Sequence, residues 1–207
     1  RRATGSDPAC ARRPCPHARI RAQRMIVISD EIYDGRLGSH ASYATQSTDH
    51  GTGLRWLQTH HEGRSTMSPE EADIVIAKIR QLVGTAWVNA AGIAATLTAR
   101  DVMVVAPYND QVRYLRQRLA AELGLEDVRV GTVDKFQGQQ APVVFFTMTS
   151  SSAADMPRGA DFLFSRNRLN VALSRARCLA FVVCTDELLN SRARNVDDMK
   201  LISTLCS

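Results

Sequence analysis

The chain alternates between two hydrophobic rhythms. Ala72, Ile76, Ile79 and Val83 recur at helical spacing, forming one stripe of a 3.6-residue period. That run opens on Ser68-Pro69-Glu70-Glu71. Ser68 can cap, Pro69 suits the first helical position, and Glu71 completes an S-x-x-E capping box. Gly84 ends it. A second stripe, Val112, Leu115, Leu119 and Leu123, predicts an amphipathic helix over Tyr108–Leu123. Short apolar runs at Val102–Ala106, Val128–Val133, Pro142–Met148 and Cys178–Cys184 predict strands. Pro142–Met148 is apolar throughout, as expected of a strand buried on both faces. Leu54 and Trp56 suggest a further short strand, residues 85–100 a loop or loose hairpin, and Asn167–Ala176 a helix before short closing helices. Strands alternating with helices predict an α/β fold, a mostly parallel sheet with helices on both faces. Ligands of such sheets bind at the carboxyl ends of the strands.

Charge changes the picture less than its total suggests. The net charge is +5, but residues 1–24 alone hold seven arginines and one acid, Asp7. The remainder carries 19 basic against 20 acidic residues, so the body is not globally basic and the total is weak evidence for nucleic acid. Residues 1–24 lack helical or strand periodicity and are expected to be poorly ordered. They read either as a flexible basic arm or as the mark of a truncation or shifted start. Residues 25–207 read as one domain, beginning with a helix over Met25–Tyr33 and a polar loop over 38–52. Five cysteines, Cys10, Cys15, Cys178, Cys184 and Cys206, are odd in number and irregular in spacing, unlike a disulfide framework. Cys10, Cys15 and His17 lack the second ligand pair of a zinc site, so no metal is expected. No apolar run is long enough to span a bilayer, and the N-terminus has no apolar signal region. Both features point to a cytoplasmic protein with no membrane partner.

Three segments carry the chemistry: VMVVAPYNDQVRYLRQRL from Val102, VGTVDKFQGQQAPVVFF from Val130, and SRNRLNVALSRAR from Ser165. In the first, Pro107-Tyr108-Asn109 follows a strand end with Gln111 in the next turn, where a ligand-facing loop belongs; an ordinary strand–helix turn in which Tyr108 only packs is the alternative. In the second, Gly131 and Gly138 flank a turn in which the backbone can approach phosphate closely. Lys135 suits either a phosphate contact or plain surface. In the third, Arg168 and Arg175 fall at i and i+7, on one face of the expected helix. Guanidinium groups suit the charge that develops on a γ-phosphoryl group in transfer. A solvated basic helix face is the bland alternative.

In order and spacing these segments resemble motifs IV, V and VI of superfamily 1 helicases, in the branch that includes the nonsense-mediated-decay helicase and the Okazaki-fragment nuclease-helicase. The resemblance covers residues 98–190, with weaker support from 26–84. It implies the second RecA-like domain of the P-loop NTPase superfamily fold, and some bacterial relatives fuse it to RecB-like nuclease domains. Arg175 would be the arginine finger and Arg168 a supporting arginine. Gly138, Gln140, Gln137 and Tyr108 would face nucleotide; Thr132, Asp134, Lys135 and Asn109 would face nucleic acid. The family usually has glutamate at the position of Gln140, which can hydrogen-bond but supplies no negative charge. The implied ligands are ATP and Mg²⁺, the metal being held by a first domain, and single-stranded nucleic acid, DNA favoured over RNA.

A P-loop requires G-x-x-x-x-G-K-[ST]. The three lysines are Lys78, Lys135 and Lys200, and none is followed by serine or threonine. The apolar run Met25–Glu31, ending in Asp30-Glu31, resembles a Walker B strand, but no P-loop precedes it. Two functions therefore compete. In one, the chain is the arginine-finger domain of a helicase and hydrolyses little ATP by itself. In the other, it is a non-enzymatic RecA-like module that binds nucleic acid or completes a partner ATPase site in trans.

Overall fold

The computed structural model describes residues 46–158 and 175–190. The expectations for 1–45, for Arg168 and for the chain beyond Asn190 lie outside them. In chain order the elements are β1 (Ser47–Thr48), β2 (Gly53–Thr59), α1 (Pro69–Leu82), β3 (Ala86–Val88), β4 (Ala94–Thr96), β5 (Val102–Val105), α2 (Asn109–Ala120), β6 (Arg129–Gly131), β7 (Ala141–Thr147), β8 (Ala176–Thr185) and α3 (Asp186–Asn190). Strands β2-β8-β7-β5-β6 form a five-stranded sheet, and every pairing in it is parallel. Strands β1, β3 and β4 form a small antiparallel sheet, and the loose hairpin expected over 85–100 is β3–β4.

Side-chain alternation divides the core between the two faces of the parallel sheet. Val102, Val104, Val143, Phe145, Phe181 and Val183 pack on one face with the apolar stripes of α1 and α2. There the Phe145 and Phe181 rings stack, their centroids 4.7 Å apart. Met103, Val105, Val144, Phe146, Val182 and Cys184 line the other face, with Phe136, Met156, Leu188 and Leu189 over them. All seven residues of β7 are buried, which explains why its sequence is apolar without alternation up to the closing Thr147.

Three boundaries depart from expectation, each for a local reason. Helix α2 stops at Ala120, not Leu123: the Ala121 and Glu122 amides close onto the Arg118 and Leu119 carbonyls, and Gly124 at φ 82° turns the chain. Leu125 then enters the core, and Leu123 is left 98% exposed. Strand β6 pairs over three residues only, since Thr132 already leaves the ladder. Of the helix expected over Asn167–Ala176 only the last two residues are among those described, and neither is helical. Arg175 lies in a turn and Ala176 begins β8, because the Ala141 amide captures the Arg175 carbonyl at 2.9 Å and draws the backbone into the ladder.

The capping box forms by half. Ser68 Oγ accepts from the Glu71 amide at 3.1 Å, as expected. The Ser68 amide, however, donates to Gln111 Oε1 at 2.8 Å, while the Glu71 carboxylate turns into the protein.

Candidate functional site

The sheet order creates a reversal. From β5 the chain moves outward to β6, then returns across β5 to β7 and proceeds the other way to β8. Loops leaving β5 and β7 therefore diverge, and a crevice opens between them at the carboxyl edge. A cavity of about 370 Å³ lies there. Its walls come from the β5–α2 turn (Pro107, Tyr108, Asn109, Asp110), the residues after β6 (Thr132, Asp134), and Arg158 in the loop after β7.

Asn109 and Asp110 open α2, so first-turn amides that have no partner within the helix lie beside this region. Thr66 Oγ1 donates to Asp110 Oδ2 at 2.8 Å, and Arg113 closes on the other oxygen. The Thr66 hydrogen bond, followed by that of Arg113, holds the Asp110 carboxyl below its usual range. Tyr108 is the N-terminal flanking residue of α2 and is buried. Gln111 does not face the cavity. It is fully buried, and its amide clamps the Ser68 N–H at 2.8 Å and the Ser68 carbonyl at 3.1 Å.

The remaining expected residues gather elsewhere. Because the strands are parallel, Gln140 (before β7) and Arg175 (before β8) both sit at the amino edge. The bond from the Ala141 amide to the Arg175 carbonyl makes these two segments neighbours. Gly138 has φ 78°, and the space where a side chain would begin is empty to 4 Å. Between the two edges runs a short crossing segment. It starts with the single 3-10 turn Asp134–Phe136, buries Phe136 against the sheet, and continues through exposed Gln137 and Gly138 to Gln140. Thus Thr132, Asp134, Asn109 and Tyr108 share the carboxyl-edge cavity, whereas Gly138, Gln140 and Arg175 share the amino edge. Exposed Lys135 lies within the crossing segment. Tyr108, expected among the nucleotide-facing residues, stands with the other group. The expected shared helical face of Arg175 with Arg168 does not extend to Arg175, which is outside any helix.

Arg129, which no motif includes, also belongs to the amino edge. Its Nη2 donates to the Gln140 carbonyl at 3.3 Å, bracing the amino-edge turn. Burial pushes its guanidinium down, partly offset by Asp101, and the Arg177 charge adds to the lowering. No spacing rule marks a strand arginine as the brace of a loop eleven residues on.

A family profile described as an AAA domain (AAA_12) matches residues 18–187. The chain belongs to this family, the C-terminal RecA-like domain of superfamily 1 helicases. Among curated relatives, it is similar to the DNA-binding protein SMUBP-2 of Rattus norvegicus, 30% identical over 185 residues, covering 80% of this chain and 17% of that protein. It is 41% identical over 85 residues to the DNA polymerase alpha-associated DNA helicase A of Schizosaccharomyces pombe, covering 41% of the chain and 12% of the relative. Helicase sen1 of the same yeast is 28% identical over 197 residues, covering 85% of the chain and 11% of sen1. The chain thus spans between about a tenth and a sixth of the length of these relatives.

The helicase family implies ATP and Mg²⁺ in the intact enzyme, and binding of nucleic acid. The amino edge of this domain has residue types that suit a nucleotide phosphate: an arginine, Arg175, whose backbone is bonded to Ala141, and a glycine turn at Gly138 with open space where a side chain would begin. Among the described residues no three His, Cys, Asp or Glu side chains cluster as a metal would require. None of the described helices is long and apolar enough to cross a membrane.

Proposed function

We propose that this domain supplies the arginine-finger half of an ATP site and part of the single-stranded nucleic-acid track of a helicase. The observation that carries the reading is the separation of the motif residues onto two edges of one sheet, joined by the crossing segment from Gly131 to Gln140. At the amino edge Arg175 is positioned to place fixed positive charge on a nucleotide held against that edge. Gln140 offers hydrogen bonds there without a charge. ATP, when bound, supplies the phosphoryl group whose transfer generates the charge that Arg175 offsets. At the carboxyl edge Asn109, Thr132 and Arg158 offer donors to a nucleic-acid backbone. A shift of the crossing segment at either end is felt at the other, because buried Phe136 holds it as one piece against the sheet.

No Walker A sequence occurs in these 207 residues. The P-loop, and with it the Mg²⁺ site, is assigned to a separate, first RecA-like domain acting in cis or in trans. DNA is the favoured strand, since SMUBP-2 and helicase A are named for DNA. The test is ATP turnover with and without single-stranded DNA, by the chain alone and with a P-loop-bearing domain of the same family. Turnover that appears only in the pair and rises with DNA supports the reading. Turnover by the pair that is indifferent to both Arg175 and DNA contradicts it. DNA binding with no turnover in the pair would favour the non-enzymatic module.

A further inference from the structure

Behind the carboxyl-edge cavity lies a buried polar cluster that the motifs do not include. Glu71, in the first turn of α1, is fully buried, and the side chains of Glu71 and His61 are both inaccessible to solvent. Both carboxylate oxygens of Glu71 accept from the Thr149 amide at 3.0 Å, and His61 Nε2 lies 3.3 Å from Oε1. His61 Nδ1 in turn lies 2.7 Å from Ser151 Oγ. Thr149 has φ 71°, and it is the only non-glycine residue with positive φ among the described residues. Two unfavourable features therefore meet in a single contact. A carboxylate is held out of water, and a β-branched residue adopts left-handed backbone. Burial pushes the Glu71 carboxyl up, while hydrogen bonds from His61 and the Thr149 amide pull it down.

The place where they meet explains the combination. Thr149 is the second residue after β7, where the chain leaves the sheet and turns back over its carboxyl edge. The next residues are tied to the loop after β2: the Ser151 amide donates to the Arg64 carbonyl, the Arg64 amide donates to Ser151 Oγ, and Ser150 Oγ donates to the Ser65 carbonyl at 2.8 Å. From there the chain continues to Pro157 and Arg158 in the cavity wall.

We propose that Glu71 is a positioning residue for the nucleic-acid face: it holds Thr149 in its left-handed turn, His61 orients its carboxylate, and the turn delivers the 150–158 loop with Arg158 to the cavity. The assignment rests on the reading of that cavity as the nucleic-acid face.

The test compares the chain with its Glu71→Ala, Thr149→Gly and doubly substituted forms, well below their melting temperatures. Amide exchange of the 149–158 peptide reports the loop. Anisotropy of a labelled fifteen-nucleotide thymidine oligomer reports binding. Glu71→Ala is expected to speed exchange of that peptide and to weaken binding, each about tenfold. Glycine adopts positive φ readily, so Thr149→Gly alone leaves both readings near wild type and, added to Glu71→Ala, restores most of each. Glu71→Ala that lowers the melting temperature but leaves loop exchange unchanged overturns the proposal, as does a double variant with no recovery. If the unsubstituted chain fails to bind the oligomer, the reading of the cavity fails. The exchange data then decide the role of Glu71 separately: acceleration with glycine rescue upholds it and its absence overturns it. Should Glu71→Ala not fold, Glu71→Gln, which keeps one acceptor, is expected to shift exchange in the same direction by less.

Discussion

The Ala141 amide donates to the Arg175 carbonyl at 2.9 Å, tying the turn that carries Gln140 to the residue assigned as arginine finger. The tie uses the backbone of Arg175, so it survives any substitution of that side chain. It also makes the conformation of the Gly138–Gln140 turn a determinant of where Arg175 stands.

Two glycines bound the crossing segment and resist substitution for different reasons. At Gly138 there is room for a side chain, but the backbone is at φ 78°. Gly138→Ala is therefore expected to cost about 1–2 kcal/mol through backbone strain alone. Gly138→Asn should recover part of it, since asparagine tolerates this region. At Gly131 the backbone is ordinary, but a Cβ would lie 3.0 Å from the buried Phe136 ring and 2.9 Å from Lys135 Cδ. Gly131→Ala is expected to cost about 1–3 kcal/mol by overpacking, and Gly131→Asn more. The opposite response to asparagine, read in urea denaturation, separates the two mechanisms.

Gln111 joins the two helices at their first turns. Its side chain satisfies both the amide and the carbonyl of Ser68, and its Nε2 is 3.4 Å from Thr147 Oγ1. Gln111→Ala leaves two buried backbone groups without these partners and is expected to cost about 3 kcal/mol. Equilibrium unfolding checks this. A loss below about 0.5 kcal/mol, the range of ordinary surface changes, contradicts the account.

The two neighbouring glutamates of α1 respond to acid in opposite directions. Hydrogen bonds from Arg64 hold the Glu70 carboxyl at about 2, against 4.5 for the free group. The contribution of this pair is present above pH 4.5 and is lost as pH falls from there towards 2. Glu71 is raised by burial, so its ionisation subtracts stability as pH rises above 4.5. Glu70→Gln removes only the first effect. It is expected to lower stability at pH 7 by up to about 1 kcal/mol, the pair being partly exposed. That difference should shrink to nothing by about pH 2 in denaturation curves at stepped pH. A difference that persists at pH 2 contradicts the assignment.

The parallel sheet was legible in the sequence because its central strands are continuous apolar runs, and the Ser68 cap because capping chemistry is local. The end of α2 was not. Leu123 keeps the helical spacing, but Gly124 and the closing amides decide the boundary, and a period carries no information about where hydrogen bonding stops. The start of β8 was hidden for a different reason. Arg175 and Ala176 follow a helix-like pattern, yet the Ala141 amide on a distant strand draws them into the sheet. The division of the expected site residues between two edges depends on strand order, which no motif states. From sequence Glu71 shows only as half of a capping box, since its bond to Thr149 spans 78 residues.

The most direct test of the account is ATP turnover by the two-domain pair carrying Arg175→Ala. Loss of an arginine finger lowers kcat about a thousandfold or more. The account predicts a loss of that order, with oligonucleotide affinity unchanged, since Arg175 lies at the amino edge, and with the tie to Ala141 kept, since it is made through the backbone. Turnover within about threefold of the unsubstituted pair, less than 1 kcal/mol of barrier, would contradict the assignment of this domain as the arginine-bearing half of the site.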